Sequence, residues 1–304
     1  MSALTDTFTS IADAIRSKTG KSATLTPSQM PDEIEGIPSG GGVTLGSTKL
    51  KPTIGNSTFE AKTWYGLTSF NGLNIWTDGD NIYYSVGSST QYVLDKSTST
   101  WTAKTWSGFT DFYGNSIWTD GDNIYYSYGS VNYVLNKSTS TWTAKTWSGI
   151  TDLYPDYIWT DGDNIYYSNN TYQYVLNKST STWTSKTWSG ITGLMGVSIW
   201  TDGDNIYSSE GDLSYQYVLN KSTSTWSTKT WSGITRFTGG GIWTVGTNIY
   251  FSDKYVLNKS TSTWTSKTWS GITDLYTDYI WTDGDNIYYS YGTNQYVLKS
   301  KRVR

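Results

Sequence analysis

The chain contains neither cysteine nor histidine among its 304 residues. Without cysteine there is no disulfide and no thiolate metal site, and without histidine the commonest general base near neutral pH is missing. Charged residues make up only 15% of the sequence, the formal net charge is −3, and Arg236 is the only arginine within the repeats described below. Because a protein that binds a polyanion should be basic on at least one face, this composition argues against nucleic acid as a partner.

Long apolar runs are also missing. No stretch approaches the length needed to span a bilayer, so no membrane association is expected. The N-terminus lacks a basic region followed by an apolar run, which argues against a signal peptide. We expect neither a cofactor nor a bound metal ion.

Aromatic residues, in contrast, make up 16% of the sequence and recur at a fixed period of 38 to 43 residues. A Thr-Trp pair ends at Trp64, Trp106, Trp147, Trp188, Trp231 and Trp269. An Ile-Trp pair ends at Trp76, Trp118, Trp159, Trp200, Trp243 and Trp281. A period near 40 residues with no helical pattern inside it is typical of a β-propeller. The sequence therefore predicts an all-β fold with six blades.

Each repeat predicts four strands, which we label a to d. In the first repeat we expect strand a at residues 74–77, strand b at 81–85, strand c at 91–94 and strand d at 100–106, with a tight turn at Asp78-Gly79 between a and b. The apolar residues occur in adjacent pairs and triplets rather than in strict alternation. That pattern suits a sheet covered on both faces, as a blade is by its two neighbours.

The two ends of the repeat region predict how the ring closes. The last repeat stops after strand c, at Leu298, and lacks a strand d. Residues 58–64 match the strand d of the first repeat, with Phe59 in place of Trp101. We therefore expect residues 58–64 to complete the sixth blade, which removes the raw edges of an open array. The predicted propeller domain comprises residues 58–304.

Residues 1–38 form a different kind of sequence, for which we expect two short helices. A 4, 3, 4 spacing of apolar residues predicts the first, and Thr26-Pro27 resembles the start of the second. The apolar faces comprise Leu4, Phe8, Ile11, Ile15, Met30 and Ile34. Helices this short do not bury such faces well alone. We expect them to attach to another protein or to pair with further copies in a homo-oligomer, with residues 39–57 as a Gly-rich linker and connector.

The closing part of each repeat resembles the kelch repeat. The string Tyr-Val-Leu-Asn-Lys-Ser-Thr-Ser-Thr-Trp-Thr at 174–184 is similar to the segment in which a kelch repeat turns before its tryptophan. Ile165-Tyr166 resembles the kelch Ile-Tyr strand, but Ser168-Asn169 stands where kelch repeats have Gly-Gly. The resemblance implies a kelch-like propeller of four-stranded blades. The partners of kelch proteins are not carried over.

The head carries a second resemblance. Residues 11–20, 26–34 and 36–37 are similar to a short module at the start of bacteriophage structural proteins, which recurs in tail, neck and fibre proteins of phages of Gram-positive hosts. This resemblance implies a location in the virion and attachment to other virion proteins through residues 1–38. A phage protein with a propeller would be an appendage or an adhesin.

The motif Thr-Asp-Gly-Asp-Asn occurs five times between strands a and b. Its acids are Asp78 and Asp80, Asp120 and Asp122, Asp161 and Asp163, Asp202 and Asp204, and Asp283 and Asp285. Alternating Asp and Asn is typical of calcium loops, but no bidentate acid follows. Hairpin turns favour the same residues, so we prefer the turn interpretation. The fifth repeat has Thr244-Val245-Gly246-Thr247-Asn248 instead and lacks both acids.

The repeated tryptophans also have two interpretations. They could stack on sugars, but tryptophans at fixed repeat positions are typical of packing between blades. We expect packing for the Ile-Trp series and for the Trp101 series, and we leave the Thr-Trp series at the rim open. The Ser/Thr-rich stretches between strands c and d are expected to be turns with hydrogen bonds from side chain to backbone.

Differences among the copies gather in the d–a and b–c loops, whereas the a–b and c–d turns barely change. In a four-stranded meander the two variable loops emerge at the same end of the blade. The variation is either drift or a diversified binding face, and its Tyr, Asp and Asn content suits saccharides. The candidate ligand-binding residues are Tyr113, Tyr154, Asp156, Tyr157, Tyr172, Tyr215, Arg236, Tyr276, Asp278 and Tyr279.

The sequence favours a non-enzymatic appendage that binds host-surface polysaccharide. One alternative is a structural virion component, in the head, neck or tail, without a ligand. Another is a propeller glycosidase, which needs two positioned carboxylates, and a sialidase also needs an arginine cluster. The nearest candidate acids are Asp156, Asp278 and Asp212. A cellular kelch adaptor would need a partner-recruiting domain that residues 1–38 do not resemble.

Overall fold

The structure is a computed structural model of the chain. It describes residues 58–87, 90–209, 216–234, 241–245, 248–252, 254–284 and 286–298. The predicted helices of residues 1–38 and the connector 39–57 lie outside the described residues. Within the described ranges, no helix has the length and apolar character needed to cross a membrane.

Six antiparallel sheets, each ordered a-b-c-d, form the six blades of a propeller, as the repeats predict. Strand a of blades 1 to 6 is Ile75–Thr77, Ile117–Thr119, Ile158–Thr160, Ile199–Thr201, Ile242–Val245 and Ile280–Thr282. Strand b is Ile82–Tyr84, Ile124–Tyr128, Ile165–Asn170, Ile206–Ser208, Asn248–Phe251 and Ile287–Tyr291. Strand c is Gln91–Asp95, Val131–Asn136, Tyr172–Asn177, Gln216–Asn220, Tyr255–Asn258 and Asn294–Leu298. Strand d is Thr100–Lys104, Thr141–Ala144, Thr182–Ser185, Thr225–Lys229, Thr263–Ser266 and, for blade 6, Glu60–Ala61.

The d–a loops contain structure that the repeat pattern does not predict. A single 3-10 turn precedes strand a in blades 1 to 4 and in blade 6. These turns are Gly72–Asn74, Gly114–Ser116, Pro155–Tyr157, Gly196–Ser198 and Thr277–Tyr279. A further short strand, Leu194–Met195, pairs with the end of strand b of blade 3 at Asn169 and Asn170. Each of these 3-10 turns is only three residues long, and the predicted all-β class of the repeats is confirmed.

Tryptophan clusters hold neighbouring blades together. Between blades 1 and 2, Trp76 of strand a packs with Trp106, which follows strand d, and with Trp142 of the next strand d. The ring centroids of Trp76 lie 5.5 Å from those of Trp106 and 6.1 Å from those of Trp142. Each such side chain buries about 150–250 Å², which at about 25 cal/mol per Å² corresponds to about 4–6 kcal/mol before conformational entropy is subtracted. The Thr-Trp series is buried like the other two, and it serves packing.

The chain after each strand d clasps the next blade. Ser107 pairs in parallel with Thr141, and the backbone N–H of Trp142 donates to the Ser107 carbonyl at 2.8 Å. Gly108 follows with φ of +83°, and a Cβ there would lie 2.0 Å from the Trp142 carbonyl oxygen. Only glycine fits this approach, since it combines a left-handed backbone with direct contact to a neighbouring main chain.

The ring closes with the same clasp. Glu60 and Ala61 pair with Val297 and Tyr296 of strand c, so the N-terminal segment is strand d of blade 6. The backbone N–H of Phe59 donates to the Ser270 carbonyl at 2.8 Å, as Trp142 does to Ser107. The predicted closure is confirmed, although the regular strand is shorter than residues 58–64.

The a–b turns of one blade are bound by a lysine from the next. Lys178 of blade 3 donates to the Asp120 carbonyl at 2.6 Å, and its ammonium lies 3.7 Å from the Asp122 carboxylate. The Asp120 carboxylate accepts the backbone N–H groups of Asp122 and Asn123 and the hydroxyl of Tyr125. Three donors inside the turn thus account for the first aspartate of the motif. Among the described residues, no three metal-ligating side chains come together.

The same contact recurs in other blades. Equivalent lysines bind the turns of blades 1, 3 and 4, and Lys96 of blade 1 binds the Asp283 carbonyl of blade 6 at 3.2 Å. In the sequence of the last repeat, Ser300 stands at the position of this lysine.

Ring closure can be tested at Gly271, whose φ is +79° and whose added Cβ would lie 1.9 Å from the Phe59 carbonyl oxygen. The matched control is Gly284, with φ of +92° and nothing within 4 Å of an added Cβ. Both substitutions by alanine impose the left-handed cost of about 1–2 kcal/mol. We expect Gly271→Ala to lose about 1–3 kcal/mol more, because it also overpacks the clasp. The measurement is urea unfolding of the full chain, and equal losses in the two variants would refute the clasp.

Candidate binding face

The d–a and b–c loops meet on one face of the ring, which we call the variable face. The Gly87 N–H in the b–c loop of blade 1 donates to the Phe112 carbonyl in the following d–a loop at 2.8 Å. Between blades 2 and 3 the direction is reversed: the Leu153 N–H in the d–a loop donates to the Gly129 carbonyl in the b–c loop at 2.9 Å. The opposite face, formed by the a–b and c–d turns, is called the uniform face. The variable loops thus form one continuous surface.

Exposed large apolar and aromatic side chains concentrate on the variable face. Among the described residues the exception is Tyr65, which is 61% exposed and whose main chain pairs with Ser99 at the c–d turn of blade 1. The others lie in or beside the variable loops and are Leu73, Val86, Tyr113, Tyr128, Val131, Tyr154, Tyr172, Val197, Tyr276 and Tyr291. An apolar concentration of this kind on one face marks an interaction surface.

Three tyrosines form a first cluster, at the junction of blades 2 and 3. Tyr154 of the d–a loop lies 5.6 Å from Tyr128 and 6.5 Å from Tyr157 between ring centroids, both edge to face. Tyr157 in turn lies 5.9 Å from the buried Tyr167. The half-buried Tyr157 anchors the cluster, whereas Tyr128 is 62% exposed and offers its ring to solvent.

Three tyrosines form a second cluster, on blade 6. Tyr276 lies 6.4 Å from Tyr279 and 5.8 Å from Tyr291, and Tyr279 lies 4.7 Å from Tyr291. The same pattern, Asp-Leu-Tyr-x-Asp-Tyr, builds both clusters, at residues 152–157 and 274–279. Because blades 3 and 6 are three positions apart in a ring of six, the clusters lie on opposite sides of the axis.

The described 3-10 turns, in blades 1 to 4 and 6, lie next to one another around the propeller axis on the variable face. Each glycine that opens a turn touches the end of the preceding turn. An added Cβ on Gly114 would lie 2.1 Å from the Asn74 carbonyl oxygen, and one on Gly196 would lie 2.2 Å from that of Tyr157. Gly72 makes the same contact with Tyr279, which joins blades 6 and 1. We call these described turns the rim, and the centre of the ring that they face on this side the channel mouth.

The middle residue of each described 3-10 turn is exposed at this rim. These residues are Leu73, Asn115, Asp156, Val197 and Asp278. Partial desolvation of the Asp156 carboxyl, and secondly the negative charge of Asp278, raise the pKa of Asp156 above its usual value. The charge of the opposite blade thus acts on Asp156.

The structure groups six of the predicted site residues in two sets of three. Tyr154, Asp156 and Tyr157 lie together in the d–a loop of blade 3, and Tyr276, Asp278 and Tyr279 lie together in that of blade 6. Tyr113 lies apart from both clusters, against Gly87 of the b–c loop of blade 1. A Cβ added to Gly87 would lie 3.1 Å from the Tyr113 ring. Tyr172 is 65% exposed at the b–c turn of blade 3. Tyr215 and Arg236 lie outside the described residues, as does Asp212.

Two members of the clusters are absent from the sequence-based candidates. Tyr128 and Tyr291 each end a strand b, directly after the string Ile-Tyr-Tyr-Ser. The corresponding residue of blade 3 is Asn169, so a tyrosine at this position was a readable signal. Their approach to the d–a tyrosines depends on how neighbouring loops fold over each other, and that geometry is not local in sequence.

The electrostatic coupling across the mouth can be tested by Asp278→Asn. Removing this charge should lower the pKa of Asp156, whose upward shift owes a part to Asp278. A carboxyl whose pKa is raised on folding stabilises the folded state when protonated, and the benefit is lost as the pH rises through that pKa. The free energy of unfolding of the variant should therefore gain less from Asp156 at acid pH than that of the wild-type chain. Carboxyl NMR titration measures the pKa, with Asp204→Asn on the uniform face as the control. An unchanged Asp156 titration would refute the coupling.

No protein-family model matches the chain, and no curated protein matches it. Among solved structures, it is similar to the extracellular domain of BT4673 from B. thetaiotaomicron, at 11% identity and a TM-score of 0.47, over 75% of this chain and 34% of that one. It is also similar to PorZ, a surface component of the type-IX secretion system of Porphyromonas gingivalis, at 10% identity and a TM-score of 0.42, over 73% of this chain and 31% of that one. The chain thus spans about a third of the length of these structures. The likeness concerns the propeller fold alone.

Proposed function

We propose that this chain is a non-enzymatic bacteriophage virion protein that presents the variable face of its propeller to a glycan on the host surface. The observation that carries the proposal is the concentration of exposed tyrosines on that face. The virion assignment depends on the resemblance of residues 1–38 to phage structural modules. The kelch-like character of the repeats is a resemblance that adds no partner.

Tyrosine suits saccharide recognition for a physical reason. Its ring offers an apolar face to the C–H groups of a sugar, and its hydroxyl exchanges hydrogen bonds with sugar hydroxyls. A tyrosine also has few rotatable bonds, so little conformational entropy is lost on binding. In both clusters the rings support one another at 4.7–6.5 Å, which holds them in place before a ligand arrives.

Attachment through residues 1–38 would give the propeller its biological setting. The apolar helical faces proposed there would bind other virion proteins or further copies of this chain. Several propellers on one particle would raise the effective concentration of each binding face, so that weak single contacts add up to firm adhesion.

Two other functions remain as outcomes of the test. A structural decoration of the virion would be folded but would bind no host polysaccharide. A glycosidase would release reducing ends from that polysaccharide, with Asp156 and Asp278 as its candidate acids. Within the described residues no arginine lies on the variable face, so a sialidase-type arginine cluster finds no support there.

The proposal predicts that the exposed tyrosines carry binding. In the full chain, replacing Tyr128, Tyr154, Tyr276 and Tyr291 by alanine should weaken binding to intact host cells and to their extracted polysaccharide about tenfold or more, equivalent to about 1.4 kcal/mol. The matched control is Tyr65→Ala, which removes an equally exposed tyrosine from the uniform face.

Circular dichroism should show that both variants are folded. Unchanged binding by the quadruple variant, or an equal loss in the control, would place the site elsewhere. No binding by the folded wild-type chain would favour structural decoration, and release of reducing ends would establish an enzyme.

A further inference from the structure

The two tyrosine clusters are related by an approximate twofold rotation about the propeller axis. The pattern Asp-Leu-Tyr-x-Asp-Tyr occurs in the d–a loops of blades 3 and 6 and in no other d–a loop of the sequence. The corresponding residues of blades 1, 2 and 4 include Leu73, Asn115 and Val197 at the rim. The repeated pattern thus selects one diameter of the ring out of three.

Each cluster reaches inward from the loops to the mouth of the channel. At the junction of blades 2 and 3 the tyrosines continue from Tyr128 through Tyr154 to Tyr157, which ends the 3-10 turn at the rim. In blade 6 they continue from Tyr276 and Tyr291 to Tyr279 in the equivalent turn. The inner ends of both clusters therefore adjoin the same rim, in which Gly72 touches Tyr279 and Gly196 touches Tyr157.

The two clusters are not identical, and the difference matters for a directional polymer. A glycan chain has a reducing and a non-reducing end, so a straight chain that crosses a twofold axis meets the second site in the reverse direction. Two identical sites would not suit it equally. The exposed partner of Tyr154 is Tyr128 from the preceding blade, whereas that of Tyr276 is Tyr291 from its own blade. Tyr128 in one cluster and Tyr291 in the other therefore do not occupy equivalent positions, and the twofold symmetry of the two clusters is only approximate.

Among the described residues of the rim, the only charged side chains are those of Asp156 and Asp278. Among the described residues, no hydrogen bond or ion pair neutralises the carboxylates of Asp156 and Asp278. Leu73 and Val197, which are also exposed at the rim, supply no cation. An acidic sugar crossing here would bring a third negative charge toward two, and juxtaposed like charges disfavour binding.

From these observations we infer that the two clusters form one composite site for a single linear, uncharged glycan chain, which crosses the channel mouth along the diameter from blade 3 to blade 6. This inference rests on the proposed glycan-binding function and adds the path, the number of chains and the charge of the ligand.

The length dependence of binding tests the path. The probe is the uncharged polysaccharide extracted from host cells, cut into fragments and separated by length, and titrated calorimetrically into the full chain. Long fragments should bind with one fragment per propeller and about a hundredfold more tightly than disaccharides, because the second cluster is engaged intramolecularly. Tyr154→Ala and Tyr276→Ala should each abolish most of this gain and leave binding at about the disaccharide level through the other cluster, and the double variant should lose that remaining binding as well.

Two fragments per propeller, or single variants that keep the full dependence on fragment length, would show separate sites and overturn the inference. If the double variant binds long fragments as tightly as the wild-type chain, the tyrosine path is wrong although the protein binds glycan. If the folded wild-type chain binds no fragment of any length, the proposed function itself fails. Tyr154 and Tyr276 are exposed, so their replacement should leave the fold intact.

The charge rule is tested with the same long fragment after oxidation of its primary hydroxyls to carboxylates. The wild-type chain should bind the oxidised fragment at least about tenfold more weakly, equivalent to about 1.4 kcal/mol. In the variant Asp156→Asn with Asp278→Asn this ratio between the two fragments should shrink. Equal binding of both fragments by the wild-type chain would contradict an uncharged ligand.

Discussion

Packing of tryptophan between blades is the interaction on which the rest of this structure depends. Each described hydrophobic cluster lies between two blades rather than within one, so no blade has a core of its own. A blade is stable only when both neighbours cover it, and the ring therefore has to close. At the closure Phe59 takes the place of the strand-d tryptophan, which is Trp101 in blade 1. The ring centroids of Phe59 and Trp269 lie 5.6 Å apart. The short N-terminal strand thus completes the packing of the whole propeller.

The same ring explains why the copies vary on one face. On the uniform face, the lysine of one blade donates to a backbone carbonyl in the a–b turn of the blade before it, so loss of the lysine breaks a contact between blades. On the variable face the loops of neighbouring blades are joined by backbone hydrogen bonds, such as Gly87 N–H to the Phe112 carbonyl. Backbone bonds tolerate many side chains. The variable face can therefore change its chemistry without loosening the ring.

Much of this architecture could be predicted from the sequence, because it repeats. The period predicts the number of blades. The additional strand d at residues 58–64, ahead of the first repeat, predicts how the ring closes. The 3-10 turns could not be predicted, because their residues differ from copy to copy. What several of them share is a close approach to the preceding turn, as Gly196 makes to Tyr157. The coupling of Asp156 to Asp278 escapes for another reason: it depends on which blades lie opposite each other. The lysine partner of the acidic turns was hidden in the same way.

The most direct test of the account is hydrogen exchange of the full chain with and without the extracted host polysaccharide. The account predicts that the polysaccharide slows amide exchange in the d–a loops at residues 152–157 and 274–279 and in the adjoining b–c loops, while the a–b and c–d turns exchange as before. Slowed exchange at the turns of the uniform face, with the loops unchanged, would contradict a binding site on the variable face.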